Sequence, residues 1–254
     1  MKQEKIAISI DPILLGEVEG TIDGVLIRNR SQAIEALLRK AIGRGVSTAV
    51  ILAGGPHGEG KAMRAYAGKP VMQHIIEWMS RHGIRRFIVA IDENERKIRS
   101  HFEDGSRLGV RMFYLLESVP AGTAGAIFGC RSLLDAPFVV ANCDSIFSFN
   151  LSGMFSYHAK SGKLVTMAVK ESITTSKYGT VDMEGGEIRG FYEKSKQVTT
   201  NMINTGLYVM SPEVFAHLPE TGTLEHNVFP KLAAQGLLGG YVFTSEWKDL
   251  ERLE

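Results

Sequence analysis

The chain has 254 residues, and 29 Lys and Arg against 28 Asp and Glu leave a formal net charge of +1. No overall field therefore draws it to nucleic acid or to a membrane surface. At 44% hydrophobic and 22% charged it has the composition of an ordinary globular protein, long enough for one large α/β domain or a medium domain with a small module.

No apolar run reaches the length that crosses a bilayer, and Met1–Asp11 lacks the apolar centre of a signal peptide. This predicts a soluble, cytoplasmic chain with no membrane partner. Cys130 and Cys143 are read as small buried hydrophobes in a reducing compartment.

Lys5–Ile10 alternates, with Ile6, Ile8 and Ile10 on one face and Lys5, Ala7 and Ser9 on the other, the pattern of a half-buried strand. Asp11 is placed to cap a helix that starts at Pro12 and carries Leu14, Leu15 and Val18. After a loop around Gly24, Ser31 is the expected cap of a second helix, with Ile34, Leu37, Leu38 and Ala41 on its apolar face. One short strand and two short helices cannot bury their own apolar faces, so this segment needs a partner. Gly43–Ser47 reads as a linker, dividing the chain into a module of residues 1–45 and a domain of residues 46–254.

The order of strand, Asp-Pro helix start and a second helix opening in NRSQAI resembles the ribbon-helix-helix family over Lys5 to about Gly43. The resemblance implies a homodimer made by pairing the single strands into a ribbon, which in DNA-binding members enters the major groove. Lys5, Ala7 and Ser9 would then face the bases, although Ala7 offers them no hydrogen bond. From Met1 to Gly45 seven basic residues stand against six acidic ones, a thin phosphate footprint. DNA binding and dimerisation alone both stay open.

Beyond the linker, apolar runs and helical patterns alternate: Thr48–Ala53, Val71–His82, Arg86–Ile91, Glu95–Phe102, Met112–Leu116, Gly122–Leu134, Phe138–Asn142, Leu151–Lys160 and Leu164–Lys170. Such alternation predicts an α/β fold, Rossmann-like, with a largely parallel sheet and helices on both faces. After Thr180 the sequence GTVDMEGGEIRGFYEK changes to two short strands about Gly-Gly, a hairpin.

In open α/β sheets ligands sit beyond the carboxyl ends of the strands. VILAGG ends the first strand there, and its glycines let backbone approach a phosphate or a base closely. The spacing is neither the dinucleotide fingerprint nor the Walker loop. AVILAGG, KAMRAYAGKPVMQHIIEWM, ESVPAGTAGAI, VVANCDSIF, YGTVDM, GFYEKS, NTGLYVMSPEVF and EHNVFPKLAAQGLLGGYVFTSEWKD follow one another between Thr48 and Asp249. In that order they resemble the sugar-phosphate nucleotidyltransferases, also called nucleotide-sugar pyrophosphorylases.

The resemblance implies an enzyme that joins a nucleoside triphosphate to a sugar 1-phosphate and releases pyrophosphate, with Mg2+ as cofactor. It implies that Leu52, Ala53, Gly54 and Gly55 hold the nucleotide by backbone contacts, while Pro120, Gly122 and Thr123 shape the base and ribose pocket. It assigns Lys61 to phosphate, Asp144 and Asp249 to the metal, and Gly179, Glu193, Lys194, Asn204 and Thr205 to the sugar phosphate. Lys61, Asp144 and Lys194 are then the catalytic set, since compact ammonium groups suit phosphate and a hard cation prefers carboxylate oxygen.

The match breaks at the loop. Between the double glycine and Lys61 the family carries a longer segment with a Gly-Thr-Arg element, whose arginine clamps the triphosphate; here PHGEG stands instead. Glu59 is expected to add negative charge where phosphates would sit, and His57 and Arg64 are the cations nearby. Two functions compete: an active nucleotidyltransferase, and a DNA-binding regulator whose second domain senses a nucleotide or sugar phosphate without turnover. His74, His82 and Trp247 are read as structural residues.

Overall fold

A computed structural model describes residues 7–22, 27–41, 46–55, 58–195 and 200–250. The chain divides into two compact units, Met1–Gly45 and Val46–Glu254.

In the first unit Asp11 caps α1 (Pro12–Glu19), its carboxylate accepting the Ile13 N–H at 2.8 Å. Helix α2 (Arg30–Ala41) takes a different cap from the expected Ser31: Asn29 accepts the Gln32 N–H at 2.9 Å. Gln32 in turn accepts the Arg28 N–H at 2.7 Å, so Asn29 and Gln32 tie down the helix start two residues before the serine. The expected strand is not seen. Lys5 and Ile6 lie outside the described residues, and residues 7–10 carry no regular structure, because strand backbone needs a neighbouring strand to bond. Val18 and Ala33 are buried, whereas Leu14 and Leu38 stand exposed, off the packed face that periodicity assigned them.

The elements of the second unit, in order, are β1 (Thr48–Leu52), α3 (Gly58–Ala62), β2 (Ala65–Tyr66), β3 (Lys69–Pro70), α4 (Val71–Arg81), β4 (Arg86–Asp92), α5 (Arg96–Phe102), β5 (Arg111–Glu117), α6 (Gly122–Gly129), β6 (Phe138–Asn142), β7 (Ser145–Phe147), α7 (Leu151–Ser161), β8 (Val165–Glu171), β9 (Gly179–Glu184), β10 (Glu187–Glu193), β11 (Met202–Met210), α8 (Phe229–Ala234), β12 (Leu238–Val242) and β13 (Trp247–Asp249). Nine strands form one sheet in the order β5-β4-β1-β6-β11-β8-β12-β10-β9.

β5, β4, β1 and β6 are parallel, as are β8 and β12. β11 runs antiparallel between β6 and β8, and β10 is antiparallel to both its neighbours. The sheet is therefore mixed, where a largely parallel one was expected. A strand buried on both faces reads as one apolar run whatever its direction, so the pattern of β11 does not carry its orientation.

Alternation along β1 divides the core in two. Ala49 and Ile51 pack with Ile75, Ile76, Ile98 and Leu151 of α4, α5 and α7, while Val50 packs with Ala124, Ile127, Phe229 and Leu232 of α6 and α8. Both faces of the sheet are thereby covered, which leaves the strand ends for a ligand. Helix α6 stops at Gly129 instead of reaching Leu134, and a single 3-10 turn follows over Arg131–Leu133. The β9–β10 hairpin turns at Gly185 and Gly186, both at positive φ, a geometry that matches the twist of the paired strands.

On α7, His158 is buried with its ring nitrogens 2.9 Å from the hydroxyls of Thr166 and Ser211. Burial pulls its pKa from 6.5 down to about 4, against the weaker opposing charge of Glu213. An unfolded chain would bind this proton near 6.5, so stability is complete above that value and falls as pH drops toward 4. The loss should reach about 3 kcal/mol. Denaturant titrations between pH 7 and pH 4 are expected to show that slope, and His158→Asn should flatten it while lowering stability at neutral pH.

Candidate active site

β1 is the strand that β4 and β6 flank, and its carboxyl end turns out of the sheet through Ala53, Gly54 and Gly55. The Ala53 N–H stays on the Ala90 carbonyl at 2.9 Å, and the Gly55 N–H donates to the Asp92 carboxylate at 3.2 Å. The carboxylates of Glu117 and Asp92 both lie against Gly54. Glu95 accepts the N–H of Glu59 at 2.7 Å and that of Asp92 at 3.1 Å. Burial raises the pKa of Glu95 and of Glu117, and the charge of Asp92 adds to both.

The short loop is thus closed by the protein's own carboxylates. Glu59 corrects one expectation: its carboxylate accepts the Lys97 N–H at 2.8 Å and stands 3.7 Å from the Lys97 ammonium, so its charge is engaged by α5. Lys61 falls in the last turn of α3, and His57 lies outside the described residues. Arg64 donates to the Leu250 carbonyl, so this guanidinium serves the end of the chain.

Pro120 to Thr123 lead from the edge strand β5 into α6. The Thr123 hydroxyl accepts the Leu224 N–H at 2.8 Å and lies 3.2 Å from the Glu225 carboxylate. Ala124 N–H donates to the Gly222 carbonyl at 3.0 Å, which bolts the loop to the residues opening a π-helical turn, Leu224–Val228. An open hollow of about 370 Å3 beside it is lined in part by Leu115, Glu117, Val119, Ala121 and Phe128. A second hollow of about 450 Å3, between Arg96, Arg99 and Tyr114, is lined by none of the predicted site residues.

β6 delivers Asp144 just past its own end. Antiparallel pairing of β7 with β13 sets Asp249 opposite Ser145, and the Leu250 N–H donates to the Asp144 carbonyl at 2.7 Å. Asp144 accepts the Ser145 hydroxyl at 3.1 Å, and Asp249 accepts the Tyr178 hydroxyl at 2.9 Å. The two aspartates therefore occupy neighbouring positions of one ribbon. Among the described residues no three Asp, Glu, His or Cys side chains gather as a closed metal cage. Carboxylate oxygens, completed by phosphate oxygens and water, are the donors that a hard divalent cation takes.

The sugar-side residues come from the hairpin and from β11. Gly179 pairs with Glu193 across the β9–β10 ladder. Lys194 follows with φ at +46°, a left-handed value uncommon for a side-chain-bearing residue, and its ammonium lies 3.6 Å from the Glu193 carboxylate. Burial, then the charge of Glu225, raises the Glu193 pKa, with Lys194 and His226 opposing. Thr205 is buried and donates to the Ala168 carbonyl at 2.8 Å, where the β11–β8 register slips. Its hydroxyl holds the strand. The Asn204 amide donates to the Tyr208 hydroxyl at 2.9 Å and its carbonyl accepts the Gly206 N–H at 3.0 Å.

The phenol of Tyr208 is fully buried, and burial raises it well above its usual pKa, with the charges of Glu225, Asp144 and Glu193 adding to the shift and the Asn204 bond opposing it. Glu225, Tyr178 and Tyr208 had no role in the sequence reading. All three stand within the matched motifs: Tyr178 opens YGTVDM, Tyr208 lies in NTGLYVMSPEVF, and Glu225 is the acid of EHNVFP. His74 and His82 lie against backbone carbonyls of Tyr66 and Trp78, as structural histidines do. Trp247 packs edge-on against Tyr178, yet its indole N–H is buried without an acceptor among the described residues, which packing alone leaves unexplained.

An α/β sheet with a glycine turn at the end of β1 and aspartates past the end of β6 and on β13 defines the class of fold. Residues 48–253 match the nucleotidyl transferase family, and the chain belongs to it. It is similar to the mannose-1-phosphate guanylyltransferase catalytic subunit beta of Drosophila pseudoobscura pseudoobscura, 32% identical over 196 residues, 75% of this chain and 53% of that protein. It is also similar to mannose-1-phosphate guanyltransferase beta-A of Xenopus laevis, 33% identical over 200 residues, 75% of this chain and 55% of that one. The chain thus spans about half the length of these relatives. The fold is that of a UDP-glucose pyrophosphorylase solved with UDP-glucose: TM-score 0.70, 21% identity, covering 81% of this chain and 93% of that one.

Gly122 tests the loop geometry. It has φ at +78°, and a Cβ there would stand 2.4 Å from the Gly222 carbonyl. Gly122→Ala is expected to cost about 2 kcal/mol of stability, read as a lowered midpoint in denaturant. A midpoint equal to the native one would show that the loop is not bolted as described.

Proposed function

We propose that the chain is a sugar-phosphate nucleotidyltransferase, joining a nucleoside triphosphate to a sugar 1-phosphate with release of pyrophosphate. GTP and mannose 1-phosphate are the substrates its relatives point to. The observation that carries this reading is the β7–β13 pairing, which brings Asp249 beside Asp144 from the far end of the chain.

The chemistry demands that two polyanions be held together while a phosphate oxygen attacks the α-phosphorus in line. Positioning and charge neutralisation supply most of the rate in such transfers. Leu52 to Gly55 pass under the nucleotide, and Pro120, Gly122 and Thr123 border its base and ribose. Lys61 neutralises phosphate. Asp144 and Asp249 would hold Mg2+, which when bound supplies the positive charge that the missing loop arginine does not. Lys194 meets the sugar phosphate, and Glu193 takes sugar hydroxyls from a strand end fixed by Gly179, Asn204 and Thr205. No described helix is long and apolar enough to cross a membrane; a cytoplasmic location is part of the proposal and rests on the two unpaired cysteines, Cys130 and Cys143.

In the presence of Mg2+, GTP and mannose 1-phosphate should release pyrophosphate. Asp144→Ala should abolish release, and Lys61→Ala should slow it by about a hundredfold, the scale of one lost charge at a transferring phosphoryl group. Turnover surviving Asp144→Ala would remove the metal assignment. A second reading, sensing without turnover, is favoured by one observation: the Gly55 and Glu59 N–H groups are already taken by Asp92 and Glu95. Ligand-dependent DNA binding through Lys5, Ala7 and Ser9, with no pyrophosphate released, would decide for it.

The N-terminal unit is proposed to form a homodimer by pairing residues 5–10 of two chains. Ile8, Ile13, Leu14 and Leu38 are all exposed there, more apolar surface than so small a unit leaves bare without a partner. Ile8→Lys should convert a dimer to a monomer in light scattering. A dimer unchanged by Ile8→Lys would place the contact elsewhere.

A further inference from the structure

The segment after the glycine loop does more than carry Lys61. Arg64 is fixed at both ends of its backbone: its N–H donates to the Lys61 carbonyl at 3.2 Å and its carbonyl accepts the Val71 N–H at 2.9 Å. From this held position the guanidinium donates to the Leu250 carbonyl. Leu250 is held at three points, since its side chain is buried in the core at 3% exposure and its N–H donates to Asp144. Two residues further on from Arg64, the Tyr66 hydroxyl lies 3.1 Å from the ammonium of Lys248, which also stands 5.8 Å over the Tyr66 ring.

Both links cross to the same target. Lys248 and Leu250 flank Asp249, and β13 has only three residues paired with β7. A two-stranded ribbon so short is not stable by itself and depends on what clamps it. Arg64 clamps one side of Asp249 and Tyr66 the other. A planar guanidinium with several fixed donors makes such a tether more rigidly than an ammonium would.

We infer that Arg64 is a positioning residue for the metal-binding aspartates: with Tyr66 it latches the β13 ribbon to the segment bearing Lys61, so that the lysine and both carboxylates form one body. This rests on the reading of Asp144 and Asp249 as metal ligands. The rival is a plain tether that keeps the end of the chain folded and leaves metal affinity unchanged.

The test measures Mn2+ binding to the full chain by electron paramagnetic resonance, without nucleotide, beside the Mg2+ requirement of pyrophosphate release. Arg64→Gln should weaken Mn2+ binding about tenfold, the equivalent of about 1.4 kcal/mol. It should raise the Mg2+ needed for half-maximal release by a similar factor and leave KM for the sugar 1-phosphate within twofold. Arg64→Lys, which keeps the charge and a donor but loses the planar fork, should recover only part of the loss. Tyr66→Phe, which keeps the ring and removes the hydroxyl, should show a smaller shift in the same direction and decides the matter if Arg64→Gln does not fold. Native Mn2+ affinity in a folded Arg64→Gln protein, or in Tyr66→Phe where the former fails to fold, overturns the latch. Asp144→Ala is the control: if it too binds Mn2+ as the native chain does, the metal assignment itself falls, a result distinct from failure of the latch alone.

Discussion

The pairing of Trp247–Asp249 with Ser145–Phe147 is the contact on which the site depends. It lies outside the nine-stranded sheet and joins only three residues of each strand. Yet it is this ribbon that carries an aspartate from the end of the chain to the exit of β6. The large sheet supplies the platform, through two cores that bury both faces of β1 and leave its end open. On the proposed reading the small ribbon supplies the second carboxylate, and loosening it would leave a single aspartate at the strand end.

The glycine loop shows how a shortened segment keeps its backbone satisfied. Groups left without partners in a partly buried loop are costly, so carboxylates from β4 and from the turn before α5 accept its N–H groups. The result is rigid and acidic. Burial makes Glu95 and Glu117 harder to ionise than ordinary carboxylates, with the charge of Asp92 working in the same direction. On the proposed reading a triphosphate would meet this loop without the arginine that longer loops provide, and its charge would be offset by Lys61 and a bound cation.

Much of this was legible in the amino-acid order. Apolar runs bounded by glycine and polar turns located the elements from β1 to β10, apart from α3 and the short strands β2, β3 and β7, because burial of a face imposes its period on the sequence; β11, α8, β12 and β13 were not assigned. The Asp11 cap and the Gly-Gly hairpin were equally readable, since both are set by local hydrogen bonding and backbone freedom. The cap of α2 was misplaced because Asn29 and Ser31 are both good caps, and the choice turned on which one Gln32 could complete. The strand expected over residues 5–10 is absent from residues 7–10 for a different reason: a strand needs a neighbouring strand to bond, and the unit offers none among its described residues.

By itself the sequence determined most of the elements, the α/β class, and the family resemblance that named Lys61, Asp144, Lys194 and Asp249. These follow from local period and from motifs that stand whole in the primary structure. Only the tertiary structure decided the direction of β11, the engagement of Glu59 by Lys97, the commitment of Thr205 to the Ala168 carbonyl, and the role of Arg64 at Leu250. Each of these is a choice of partner between residues distant in the chain. A side chain carries its charge and its donors in the sequence, but which group it meets is fixed by packing.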